Sequence, residues 1–465
     1  MTDTRLPTCV AAGNSVTADV GAETLRAGGS AADAAAAMIL ASCVAETVFT
    51  GLGGGGYATY FEASTGTVHC LDFFVAVPGL GGTRRAQPLE VPIDFGGEIV
   101  PYAVGPSTVA VPGNPAGVSV LHERWGRLPW SQVVTPALRH AERGVVLAPM
   151  HAKVLSTISA AMLIGAGVDV YSRDGASLPA GALVRHPGLD LALRTLRDEG
   201  AGAFYHGAVA EQMVLTIGEL GDLSEADLSA YTVRDSTPRR AELDGTEVLA
   251  RGGDLDDLLG TLTGLELCDD EPEMARRMVA ALRAAPRRGD TTSLAASDAD
   301  GNVCAATTSM GLSSGVWLPG YGIHLNSMLG EGELLRDALV PGERMNSMMS
   351  PLVALRDGTP VLAAGAAGGS RIRSSLAQVL VNVLRRKMPV QAAIVAPRLN
   401  PVPGRVHVEP GFPRRSWRRW QRPTPSCRGP HLTRTSAGSQ RSTLPGRVRI
   451  PGAAGTPARS ETSVA

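Results

Sequence analysis

The run Asp290-Thr291-Thr292-Ser293-Leu294-Ala295-Ala296-Ser297-Asp298-Ala299-Asp300-Gly301-Asn302-Val303-Cys304-Ala305-Ala306-Thr307-Thr308-Ser309 constrains this chain more than any other stretch. It reads as two strands of small and β-branched residues around Ala299-Asp300-Gly301. A three-residue hairpin loop asks for a left-handed residue at its last position, and Gly301 supplies it. Pairing Asp298 with Asn302 predicts a register that runs back to Thr291 opposite Ser309. Directly opposed side chains have Cβ atoms about 5 Å apart. The pattern therefore allows two readings: an ordinary Thr/Ser-rich hairpin, or a threonine placed against a hydroxyl for a chemical purpose.

The second reading has a chemistry. A threonine hydroxyl is a weak nucleophile, and a free α-amine on the same residue can act as its base. Such an amine has a pKa of about 7.7–8.0 and can accept a proton near neutrality. The Thr291-Thr292 pair, followed by Ser297-Asp298-Ala299-Asp300-Gly301-Asn302-Val303, resembles the start of the small subunit of γ-glutamyltranspeptidases, which are N-terminal-nucleophile hydrolases. The resemblance implies a self-processing chain cut between Asp290 and Thr291. It implies Thr291 as nucleophile and new N-terminus, with Ser309 orienting the hydroxyl.

The similarity extends over residues 1–411. Ser15 to Ala27 has helical composition and stops at Gly28-Gly29. Ser30 with Asp33 forms a capping pair for an apolar helix through Ala34 to Val44. Thr50-Gly51-Leu52-Gly53-Gly54-Gly55-Gly56-Tyr57 precedes a strand at Tyr57–Phe61, and its glycines let another backbone approach closely. No Gly-Lys-Ser/Thr follows, so this is not a phosphate loop. The run Ala27 to Ala35 resembles the start of the same family's large subunit. Ala110 to Gly117, Trp125 to Pro129, Val134 to Ala137, Phe204 to Gly207 and Leu223 to Tyr231 follow in the family's order. The match weakens over 232–290, where Ala250-Arg251-Gly252-Gly253-Asp254-Leu255-Asp256-Asp257 replaces a family segment. Glu271 onward predicts a helix and a basic link ending Arg287-Arg288-Gly289-Asp290.

Past the hairpin, Tyr321 to Asn326 predicts a strand, 327–331 a loop, and Ser374 to Arg386 a helix. Ala364-Gly365-Ala366-Ala367-Gly368-Gly369 leads into that helix. The resemblance makes Gly368 and Gly369 the oxyanion hole. Glycine amides at a helix N-terminus suit developing negative charge on general grounds. The resemblance also assigns substrate contacts to Glu331 (amine) and Ser347 (carboxylate), with Met348 replacing a second serine. Where the family has an arginine after Asp-Phe, this chain has Phe74 after Asp72-Phe73. An apolar ring cannot make the bidentate pair that an arginine makes with a carboxylate. An expected asparagine is Gly311, and a glutamine near Met328 is missing. The departures fall on substrate recognition, so the reaction type is better supported than glutamate specificity.

Composition bounds the rest. Aromatics are only 4% while glycine is 55 of 465 residues, so packing must rely on Ala, Val and Leu. No stretch has signal-peptide form or approaches the ~20 apolar residues of a membrane span. A cytoplasmic protein is expected, although the family often has exported members. The six cysteines and nine histidines show no metal-ligand spacing, so neither metal nor organic cofactor is expected. Residues 412–465 hold eleven arginines and one acid, leaving the body at a balance of −11, with no argument for nucleic acid or membrane. That tail is either a functional basic extension or the product of a frameshift near Gly411. The frameshift is favoured, and such a tail is expected to be disordered, exposing an edge of the fold.

The expectation is an α+β, four-layer αββα sandwich implied by the resemblance. Residues 1–290 would form a large subunit, 291–411 the small-subunit core and 412–465 an atypical tail. The expected activity is γ-glutamyltransferase-like amide hydrolysis or acyl transfer to water or an amine. The alternatives are an acylase on a non-glutamyl amide, or an inactive, unprocessed chain.

Overall fold

Two neighbouring strands, Thr292–Ser297 and Val303–Ser309, are buried at every residue, so both faces of their sheet must be covered. They belong to a six-stranded sheet in the order Cys9–Ala11, Thr292–Ser297, Val303–Ser309, Gly55–Glu62, Thr67–Phe73, Arg234–Ser236. Every pairing in it is antiparallel. The computed structural model describes residues 6–83, 86–94, 99–252, 258–282, 291–332, 334–335, 338–369, 371–402, 405–412, 431–432 and 448–449.

Side-chain parity separates the two faces. The odd-numbered Ala295, Val303 and Ala305 pack with Leu249, Val353, Leu355 and Ala363 of a second sheet. The even-numbered Leu294, Ala296, Cys304 and Ala306 pack with helices. The second sheet runs Arg239–Glu242, Glu247–Ala250, Leu352–Arg356, Thr359–Ala366, Val448–Arg449. Its other face, carrying Val248, Leu352, Ala354 and Leu362, packs with Leu258, Met274, Ile372 and Leu376 from three helices. The order is therefore helices, sheet, sheet, helices.

The helical layer on the first sheet centres on Ala31–Ala45, all fifteen residues of which are buried. Its alanines permit close approach. At Gly21 of the neighbouring Ser15–Arg26 helix, an added Cβ would collide with the Met38 side chain. Burial of Met38, Ile39 and Leu40 contributes about 1.5–3 kcal/mol each. Ser30 and Asp33 form the expected reciprocal cap. Asp298 Oδ2 also accepts the Ala31 amide at 2.9 Å, tying this helix to the hairpin.

The hairpin register agrees with the sequence reading. The Asp298 amide donates to the Asn302 carbonyl at 3.0 Å, Gly301 has φ +87°, and pairing continues to Thr292 opposite Thr308. Other boundaries move. The strand expected at 57–61 spans Gly55–Glu62. The strand expected over 321–326 shrinks to Ile323–His324, because Gly320 and Gly322 take positive φ and Asn326 turns its side chain to Gly53 and Ala110. Residues Met328–Gly330 form a short 3-10 turn. The helix expected from Ser374 begins earlier, at Arg371, runs to Leu380 and widens into a π-helical turn over Val381–Arg385. The Glu271 helix ends at Ala281, and the basic link with Asp290 lies outside the described residues. Of the tail beyond Phe412, the structure describes two segments. Val448–Arg449 pairs with Gly365–Ala366 at the second sheet's edge, and His431–Leu432 pairs with Arg405–Val406. The rest of the expected disordered tail lies outside the described residues.

Candidate active site

Parity also divides the start of the Thr292–Ser297 strand. Thr292 points to the helices, whereas Thr291 and Ser293 point to the second sheet. There the Thr359–Ala366 strand delivers Gly365, then Gly368 and Gly369, to the Thr291 end of the first sheet. A Cβ on Gly365 would collide with Ser293 Oγ, so glycine is what allows the sheets to close here. Ser293 Oγ and Thr307 Oγ1 lie 3.0 Å apart beside it.

Thr291 is 5% exposed. The Gly368 amide donates to Thr291 Oγ1 at 3.2 Å. Gly368 and Gly369 have φ +117° and +56°, backbone conformations that glycine adopts without Cβ strain. Their carbonyls accept from Arg371 and Ile372 as the Arg371–Leu380 helix opens. The pair therefore stands at a helix N-terminus, where partial positive charge gathers. Ser370 and Asp290, the residue before the expected cut, lie outside the described residues.

The last paired rung is Thr292 with Thr308, and the same register continued by one step sets Thr291 across from Ser309, as expected. Ser309 Oγ accepts the Gly311 amide at 3.1 Å, and Ser309 is paired with Gly55 on its other side. The glycine run is packed against backbone as expected. A Cβ at Gly54 would meet the Ser309 carbonyl, and one at Gly56 the Thr307 carbonyl.

The residues expected to contact substrate, Phe74, Glu331, Ser347 and Met348, are buried. At Gly311 an added Cβ would collide with the Glu331 carboxylate, so the glycine in place of the expected asparagine and the position of Glu331 are one arrangement. Ser347 Oγ accepts the Met349 amide at 3.2 Å. Phe74 stacks on Tyr57, with ring centroids 5.4 Å apart, and shares an apolar cluster with Met328, Met345 and Met348. Among the described residues no three His, Cys, Asp or Glu side chains are grouped as metal ligands. No described helix is long and apolar enough to cross a membrane.

Sequence reasoning missed two residues. Arg251 donates to the carbonyls of Met349 (3.1 Å) and Ser347 (2.9 Å) and lies 3.8 Å over the Tyr57 ring, so it fixes the Ser347 turn. It sits where the family resemblance fades, and nothing local marked it. Glu46 closes the Ala31–Ala45 helix and accepts from Thr17 Oγ1 (2.8 Å) and Thr292 Oγ1 (2.6 Å). A lone acid at the end of a long apolar run was its one signal. Beside it Thr50 donates to Thr308 Oγ1 at 2.9 Å, and Asn114 donates to the Gly51 carbonyl at 2.7 Å, completing a polar floor.

Comparison with known proteins places this geometry. Residues 17–256 and 265–422 match the family described as Gamma-glutamyltranspeptidase. The glutathione hydrolase proenzyme of Pseudomonas aeruginosa is 29% identical over 468 aligned positions, covering 84% of this chain and 82% of that protein. The acylase ACY 1 proenzyme of Pseudomonas sp. is 26% identical with the same coverage. The crystal structure of a cephalosporin acylase from Bacillus halodurans shares the fold, with a TM-score of 0.76 and 24% identity, over 92% of this chain and 89% of that one.

Proposed function

The chain belongs to the γ-glutamyltranspeptidase family, and on that premise we propose that it is an N-terminal-threonine amidohydrolase that processes itself before Thr291. The observation that carries the reading is the Gly368 amide on Thr291 Oγ1 at 3.2 Å. Two relatives whose names include "proenzyme" support processing. After cleavage, residues 1–290 and 291–465 stay folded together, because the new N-terminal strand is paired on both sides within the first sheet, with Cys9–Ala11 of the first piece on one side.

In this mechanism Thr291 Oγ1 attacks an amide carbonyl while its α-amine takes the hydroxyl proton. Gly368 and Gly369 stabilise the oxyanion, and Ser309 orients the hydroxyl. The proton passes to the leaving amine, and water or an acceptor amine then releases the acyl group. No metal or organic cofactor takes part in the proposed cycle.

For the substrate we favour a non-glutamyl acyl amide over a γ-glutamyl amide. Phe74, packed on Tyr57 in one apolar cluster with Met348, stands where the family resemblance implies a carboxylate-gripping arginine. Ser347 and Glu331 remain as candidate polar contacts. A panel of plain acyl anilides and γ-glutamyl anilides tests this. Faster turnover of plain acyl anilides is expected, and vigorous γ-glutamyl turnover would overturn the preference. A cytoplasmic location belongs to the same proposal, supported by five free thiols among the described residues. Fractionation of the source cells checks it, and recovery outside the cytoplasm would refute it.

A further inference from the structure

We propose that Glu46 is a positioning residue for the nucleophile: its buried carboxylate anchors the Thr292 hydroxyl and supplies the negative charge that steadies the Thr291 α-ammonium. The inference rests on the N-terminal-threonine reading above.

Glu46 is 1% exposed and takes hydrogen bonds from two hydroxyls, Thr17 on one oxygen and Thr292 on the other. Among the described residues no Lys, Arg or His pairs with it. A buried carboxylate with hydroxyl donors alone is costly, because neither donor carries the opposite charge. The Ser15–Arg26 helix presents Thr17 to it, the hairpin strand presents Thr292, and its own helix presents Cys43. The Cys43 thiol is neutral, pushed up to about 12 by burial, with the Glu46 charge acting in the same direction. None of these neighbours supplies a cation.

Cleavage of the 290–291 bond would create one. An extended chain advances about 3.4 Å per residue, so the Thr291 nitrogen lies within roughly two residue lengths of the Thr292 hydroxyl that Glu46 holds. In each turnover the proton leaves Thr291 Oγ1 for that nitrogen as the Oγ1–carbon bond forms. The carbonyl electron pair moves onto oxygen at Gly368. The nitrogen then gives the proton to the leaving amine as the carbon–nitrogen bond breaks. The amine is positively charged between those two transfers, and a nearby carboxylate favours that state. The sign follows: Glu46 raises the amine's proton affinity, so the acid limb of the rate profile sits higher with Glu46 than without it.

The test compares kcat/KM against pH, on an acyl anilide that the wild type turns over, for processed wild type, Glu46→Gln and Glu46→Asp. Glu46→Gln should move the acid-limb midpoint down by about half to one pH unit and lower the plateau roughly tenfold. Glu46→Asp should restore the midpoint. A lower plateau with an unmoved midpoint would reduce Glu46 to a structural role and overturn the proposal. If Glu46→Gln does not fold, the pH dependence of cyanate carbamylation at the wild-type Thr291 amine decides. An apparent pKa above the ordinary range of about 7.7–8.0 supports the proposal, and one within or below it overturns it. A wild type without a Thr291 N-terminus removes the underlying reading itself, and end sequencing distinguishes that failure before any variant is made.

Discussion

Gly368 and Thr291, 77 residues apart and carried by different sheets, meet through a 3.2 Å amide-to-hydroxyl hydrogen bond. The contact depends on the sheets converging at this end, and it joins the candidate nucleophile to the candidate oxyanion donor. Gly368→Ala tests the donor. Its φ of +117° strains any side chain, so the turn will re-aim the amide. The expected result is a kcat loss of about 10²–10³ with a change in melting temperature of only a few degrees. Unchanged kcat would remove Gly368 from the mechanism.

Sheet closure gives a second prediction. Gly365→Ala drives a methyl into Ser293 Oγ and should destabilise the fold by about 1–3 kcal/mol while slowing processing. Adding Ser293→Ala removes the struck oxygen and should recover part of both losses. Denaturant unfolding and gel-resolved processing measure them, and full additivity would show that the two residues do not press on each other.

Much of this was legible because its causes are local. Asp298, Gly301 and Asn302 specify the hairpin within five residues, and Ser30 with Asp33 specifies a helix start within four. What escaped was long-range. Glu46 meets Thr292 across 246 residues, and Arg251 meets the Ser347 turn across 96, with no spacing rule to announce either. The strand expected over 321–326 failed for a related reason: its apolar pattern was real, but Asn326 serves the glycine run rather than a ladder.

Phe74→Arg measures how committed the pocket is to apolar contacts. Position 74 is buried against Tyr57, whose ring already carries the Arg251 guanidinium. A second buried cation there should cost about 3–5 kcal/mol and yield no γ-glutamyl activity. A stable variant that gains γ-glutamyl turnover would show that the glutamyl clamp is one residue away from being rebuilt.

Stability should fall on the acid side before carboxylates titrate. Burial pushes His324 down to about 3, with His186 adding to the effect, and burial pushes His186 down to about 4. Unfolded imidazoles bind protons near pH 6.5. Below that pH the unfolded chain takes up protons that the folded chain refuses. The stability contribution is therefore complete above about pH 6.5 and declines toward the folded values, by several kcal/mol between about pH 7 and 4. Melting temperatures should be level above pH 7 and decline between pH 6.5 and 5. A level curve through that window would contradict neutral burial of the two rings.

The proposed chemistry requires Thr291 to become an N-terminus. Intact mass and end sequencing of the purified wild type, beside Thr291→Ala, test it most directly. Two wild-type fragments are expected, the second beginning at Thr291, and a single uncut Thr291→Ala chain. A wild type that remains one chain after prolonged incubation, with no threonine N-terminus, would contradict it.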